Sequence, residues 1–215
     1  METKSIPVFS KDDFTPSGVV DGHEYVDLGL PSGLKWATCN IGASSPHEYG
    51  DYFAWGETDP KGSYYEGSYC FFEYYGDHDH FPINKYYEED GKKELDPEDD
   101  AAIVKWKGNW RMPSIEDFQE LIDNCEFTWG TYNGITGFKV KGSKGFSLFL
   151  PSAGRKEETE GEIEFVDERG EYWSSCLSDV GAKFAQTMDF EESGALCDYD
   201  HREMGRPIRP VCLIK

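Results

Sequence analysis

The chain is short of positive charge: 21 lysines and arginines face 42 acidic residues, for a formal net charge of -21. Binding a phosphate backbone requires a cationic stripe or patch, so nucleic acid is not expected as a partner. The same acidity repels anionic lipid, and no apolar run approaches the ~20 residues of a membrane span, so direct membrane insertion is not expected either. The six cysteines, Cys39, Cys70, Cys125, Cys176, Cys197 and Cys212, include no CxxC pair and no zinc-type spacing. An even count fits a reduced chain or up to three disulfides, and a chain of 215 residues can build a core without them. Met1 to Gly18 lacks the apolar segment of a signal peptide, so either the chain is not exported by that route or its leader has been removed. Trp173-Ser174-Ser175 lacks the glycines of a nucleophile elbow and reads as a buried strand whose hydroxyls satisfy backbone groups.

Aromatic residues are plentiful. They make up 15% of the chain, which marks a folded protein despite a mean hydropathy of -0.66. Residues 1–20 read as an irregular lead-in, broken by Pro7, Pro16 and Gly18. Alternation then places strands at Glu24–Leu30 and Leu34–Cys39 around a Pro31-Ser32-Gly33 turn. Residues 40–95 carry so many rings that ordered loops packed over the core are expected rather than disorder. Within them Asp77-His78-Asp79-His80 has metal-binding residue types, but adjacent residues rarely converge on one ion, and a solvated loop is the simpler account. No other pattern calls for a metal or a cofactor.

Two helices are expected. The first starts at Asp96 as N-cap, with Pro97 in the first turn, and is ended by Gly108. The second starts with Ser114 and Asp117 as a capping box, and Phe118, Leu121, Ile122 and Cys125 form its buried stripe. From Thr128 the pattern is β: Phe138 and Val140 are answered by Phe146, Leu148 and Leu150 across a Gly142–Gly145 turn. Ile163, Phe165 and Val166 suggest a short strand in a charged excursion. Lys183–Phe190 alternates, with Phe184, Gln186, Met188 and Phe190 on one face, and so does Ile208–Ile214. The fold class is α+β, one domain over residues 21–215 with two internal helices and strands at both ends.

Six blocks carry a resemblance: GHEYVDLGLPSGLKWATCNIG (22–42), EYGDYFAWGET (48–58), GNWRMPSIEDFQELIDNC (108–125), FLPSAGR (149–155), EYWSS (171–175) and GRPIRPV (205–211). In content and order they resemble the Fibrobacter succinogenes major paralogous domain family of gut Bacteroidetes surface proteins. The resemblance implies a C-type-lectin-like fold with terminal strands paired in one sheet, long ordered loops and a ligand-facing C-terminal half. It implies a cell-surface or extracellular location, with a cytoplasmic one as the alternative. Related proteins are targets of diversity-generating retroelements. The calcium motifs of sugar-binding C-type lectins are absent; a formylglycine-generating-type enzyme, which shares the broad fold, is the less favoured alternative, since its cysteine pair does not map clearly onto Cys176, Cys197 or Cys212.

The expected site is the C-terminal run. Cys197, Asp198, Tyr199, Asp200, His201 and Arg202 are read as a loop between strands, and all six are reachable from an AAC codon by changing adenines alone. Asp198, Tyr199, Asp200, His201 and Arg202 are expected to form a ligand surface with Gln186 and Glu191 on the neighbouring strand, Tyr199 being its rigid anchor. The acids favour a protein or cell-surface ligand with a basic patch. Cys176 with His201 is the one pair that could serve an enzyme, and no motif supports it. A non-catalytic binding module is therefore expected, with a structural spacer or tip of a surface fibre or pilus as the alternative.

Overall fold

The computed structural model describes residues 5–73, 82–157 and 162–214; the Asp77–His80 cluster lies outside them. The described chain is α+β, with two α-helices, α1 (Ala101–Trp106) and α2 (Ile115–Asn124), among three sheets. One sheet has the order β1 (Val8–Phe9), β6 (Glu126–Tyr132), β7 (Ile135–Lys141), β8 (Ser147–Pro151). A second runs β2 (Gly18–Val20), β3 (His23–Val26), β4 (Lys35–Ala37), β12 (Val211–Cys212), β5 (Trp110–Arg111). It joins the two ends of the chain, since β4 and β12 pair antiparallel with Val211 opposite Trp36. The third, β11 (Gly194–His201), β10 (Phe184–Glu191), β9 (Gly170–Leu177), carries the C-terminal surface.

The capping box forms as expected. Ser114 Oγ accepts from the Asp117 N–H at 3.3 Å, and the Asp117 carboxylate accepts from the Ser114 N–H at 2.8 Å. Phe118 and Leu121 then point into a core shared with Trp36, Phe138, Tyr172, Met188 and Val211, so α2 is packed against residues from all three sheets. The aromatic loops do cover the core. Backbone carbonyls join them to it: Trp55 Nε1 donates to Ser174 O at 2.9 Å and Tyr69 Oη to Trp55 O at 2.6 Å, while Trp173 Nε1 of β9 donates back to Phe53 O at 2.8 Å.

Three expectations fail locally. The first helix is capped four residues later than Asp96, by Asp100, and begins at Ala101, with Asp100 accepting from the Ala102 and Ile103 N–H groups. Asp96 and Asp99 are occupied by Lys85, Lys92 and Tyr86 instead, which removes them from capping. The lead-in is not irregular: Val8–Phe9 adds a parallel strand to β6, Gly18–Val20 pairs with β3, and Phe14 is buried against Tyr132 and Phe149. Residues 163–166 form no strand: the chain turns over 165–168, with Phe165 at φ 57°, and Glu164 makes only an isolated bridge to Arg155.

Because Leu121 is fully buried where the sheets meet, Leu121→Ala is expected to destabilise the protein by about 2–5 kcal/mol in chemical denaturation. A loss near zero would place the wrong face of α2 inward.

Candidate functional site

The expected loop is a strand. Residues 194–201 form β11, paired along its whole length with β10 from Phe184↔His201 to Glu191↔Gly194 through a two-residue turn at Glu192-Ser193. The turn carries two glutamates' worth of charge around it and no Asn-Gly signal, and Gly194 supplies the needed φ of 148°. On the other side β9 bulges: Ala185 pairs with Leu177 but Thr187 with Trp173. Ser174 fills the gap, its hydroxyl donating to Gln186 O at 2.8 Å and accepting from the Cys176 N–H at 3.1 Å.

A strand separates what a loop would have gathered. Gln186, Tyr199 and His201 share one face with Phe184, whose ring lies 5.6 Å from Tyr199 and 4.6 Å from His201. Lower on that face Met188 and Cys197 turn into the core. Glu191, Asp198 and Asp200 are on the opposite face, so the expected single surface of seven residues is two surfaces. Tyr199 is 46% exposed and stands at the strand's outer edge.

Asp200 and Arg202 are not free to meet a ligand as expected. Asp200 Oδ2 is ion-paired with Arg206 and lies 3.4 Å from Arg155. Arg202 is 0% exposed. Its guanidinium donates to Ala182 O (2.7 Å), Tyr86 O (3.1 Å), Lys85 O (3.1 Å) and Tyr69 Oη (2.9 Å), and its carbon lies 4.8–5.7 Å from the ring centres of Trp55, Tyr69, Phe71 and Tyr86. It is a clamp on the aromatic loops, held by carbonyls and π-faces. The adjacent aromatic-rich, arginine-free stretch 40–95 was the one sequence signal for such a cation-hungry cage.

Sequence reasoning also missed the second clamp. Arg206 is buried over the Trp173 ring and meets three carboxylates: Asp189 at 3.0 Å, Glu171 at 3.2 Å, and Asp200. Burial pushes the Glu171 and Asp189 carboxyls up, against the pull of Arg206, which lies beside both.

Catalytic geometry is lacking in the Cys176–His201 pair. Cys176 Sγ takes the Ile115 N–H at 3.4 Å, and no hydrogen bond joins it to His201 among the described residues. Burial raises the Cys176 thiol, and raises Cys197 to about 11, the opposite of what a nucleophile needs. His201 Nδ1 instead lies 3.5 Å from Glu203, a carboxyl that burial raises.

No family model matches the chain, and no curated protein or solved structure shows significant similarity to it.

Two predictions follow from these charges. Arg202→Ala removes a buried cation from a cage of carbonyls, and is expected to cost about 3–5 kcal/mol, the scale of breaking a buried charged interaction. Loosening would show first as proteolysis between residues 52 and 95; a variant as stable as the parent would return Arg202 to the surface. The second concerns pH. Asp100, Glu171, Asp189 and Glu203 are all raised by burial, so their stabilising contribution is complete below the unfolded value of about 4 and is lost as pH rises through the folded one. Burial would raise Asp27 too, but bonds from Lys144, Lys35 and the Gly29 N–H hold it at about 2. Its contribution is therefore present above about pH 4 and lost below, toward pH 2. The melting temperature is expected to be higher at about pH 5, just above the unfolded values, than at about pH 8, where the raised acids have ionised; the reverse order would show that the raised acids do not govern stability.

Proposed function

We propose that the chain is a non-catalytic recognition module whose ligand face is the β10–β11 hairpin. One observation carries this reading: a long, fully paired hairpin exposes Tyr199 on one face and Leu196, 54% exposed, on the other, while its base is fixed by buried arginines. Rigid aromatic groups that lose little entropy on contact are what recognition surfaces use. The free edge of β11 is itself unsuited to strand addition. In a two-residue hairpin closed by Glu191 and Gly194, residues 199 and 201 turn their N–H groups outward. Asp198 Oδ1 accepts the Tyr199 N–H at 2.9 Å and Asp200 Oδ1 the His201 N–H at 2.7 Å. Side chains, not backbone, are left to be read.

The resemblance to the Fibrobacter succinogenes major paralogous domain family supports the same reading, as does the C-terminal position of the hairpin. A C-type-lectin-like fold is compatible with two helices among sheets that join the chain ends. On this reading the module works at the surface of a gut bacterium, and its C-terminal segment is a candidate for retroelement diversification. A reverse transcriptase gene beside a template repeat that differs from this 3′ end only at adenines would establish that last point; without it the module is a fixed binder.

The deciding experiment is capture of surface-extract proteins by the full chain and by Tyr199→Ala. Binding is expected to weaken by about 2 kcal/mol or more, the scale of an interface hot spot, with the melting temperature unchanged. Equal capture by both would remove Tyr199 from the interface, and no capture by either would favour a spacer in a fibre or pilus.

A further inference from the structure

The face of the hairpin opposite Tyr199 borders a cleft of about 390 Å³ between the β9 and β11 ends of the sheet, lined by Arg169, Glu171, Asp189, Glu191, Leu196 and Asp198 among others. We propose that this cleft receives a single basic side chain, lysine or arginine, from the surface of a partner protein. The proposal rests on the recognition reading above and names the partner chemistry for its second face.

Four observations support it. Glu171 is 2% exposed and lines the cleft, yet its buried Oε2 has no hydrogen-bond partner among the described residues, only the guanidinium groups of Arg206 at 3.2 Å and Arg155 at 3.8 Å as ion pairs. A buried carboxylate so placed is under-satisfied, and an incoming N–H donor would relieve it. The charge balance points the same way. Arg206 and Arg155 between them serve Glu157, Glu164, Glu171, Asp189 and Asp200, so the local acids outnumber the cations before Glu191 and Asp198 are added. Arg169 does not correct the excess: its guanidinium lies over Phe165 at 4.8 Å, and its Nε is 3.9 Å from Glu191 at the rim.

The third observation is spacing. No three acidic, histidine or cysteine side chains converge closely enough to hold a metal ion among the described residues. Fourth, the wall is part apolar. Leu196, exposed on this face, offers a surface for the methylene stem of lysine or arginine while its head reaches the acids. Asp198 at the mouth is exposed and ion-paired to nothing among the described residues, which leaves it free for the entering group.

The test is a titration of the isotope-labelled full chain with Nα-acetyl-arginine N-methylamide, followed by amide NMR, against the citrulline analogue of the same shape and no charge. Saturable shifts are expected at residues 169–171 and 189–198 with the arginine probe alone. Asp198→Asn, which touches no buried ion pair, should weaken that binding about threefold to fivefold, the upper range for a partly exposed charge pair. An equal response to citrulline, shifts that never saturate, or an unchanged midpoint in Asp198→Asn would overturn the proposal. So would displacement of the probe by equimolar calcium chloride, which would mark a metal site. The capture experiment is read separately. Loss of partner by Tyr199→Ala together with a negative titration rejects the cleft and keeps the recognition face; a positive titration with no capture keeps the cleft and rejects that face.

Discussion

Three arginines, Arg202, Arg206 and Arg209, are fully buried within one short stretch, and the rest of the C-terminal half is arranged to make that tolerable. A guanidinium cannot shed its proton inside a protein, so each must be given acceptors for its donors. Each meets the problem differently, and Arg206 leaves its Nε without a hydrogen-bond partner among the described residues. Arg202 uses carbonyls and four rings, Arg206 uses three carboxylates and a tryptophan face, and Arg209 uses Asn40 Oδ1 at 2.7 Å with the carbonyls of Ala37, Thr38 and Phe149. The acceptors lie in the aromatic loops, in the β9–β11 sheet, and in the strand ends of the other two sheets. One stretch of chain thereby ties all the layers together. Pro207 and Pro210 keep it extended and still present carbonyls, to the Trp173 and Ala37 N–H groups.

That anchoring makes a stiff hairpin out of a segment with little apolar content. Asp200 does two things at once: one oxygen covers the outward N–H of His201, the other holds Arg206. The edge is thus closed by the same residue that fixes the base. Edge protection by inward-bound charge and display of alternate side chains are compatible, because they use the two different faces and the backbone rim of one strand.

Much of the scaffold was legible because its signals are local. The Ser114–Asp117 box, the α2 stripe and the alternation of Phe138–Leu150 each depend on residues a few positions apart, and each is where it was expected, except that Phe146 falls just before β8 and is partly exposed. The misses share the opposite property. The parallel pairing of Val8–Phe9 with Thr131–Tyr132 is a long-range contact with no local mark. Asp96 has every local feature of an N-cap, but Lys85 and Lys92 compete for its carboxylate and Asp100 takes the role. Of the expected site residues, Tyr199 and Asp198 are exposed, on opposite faces, whereas Arg202 is buried in a cage whose rings lie more than a hundred positions earlier. β11 carries little strand signal in the sequence, because its alternation is diluted by small and polar residues and its turn lacks the usual asparagine-glycine pair.

The strand geometry also limits what a diversified C-terminus could be. A loop tolerates change at every position, but a strand with one buried end does not. Cys197 packs against the core beside α2, its thiol 3.9 Å from Ile115 O; Asp200 serves Arg206; Arg202 fills its cage. Substitution at any of these three would strike the scaffold before it altered the surface. Asp198, Tyr199 and His201 remain, with Gln186 across the pair from Tyr199. They divide between the two faces, Asp198 on the acidic cleft and the others on the aromatic face. Being reachable from one codon is therefore a weaker guide to variability here than the direction in which each Cβ points: half of the run that looks free to vary is structural, and the half that is free serves two separate surfaces.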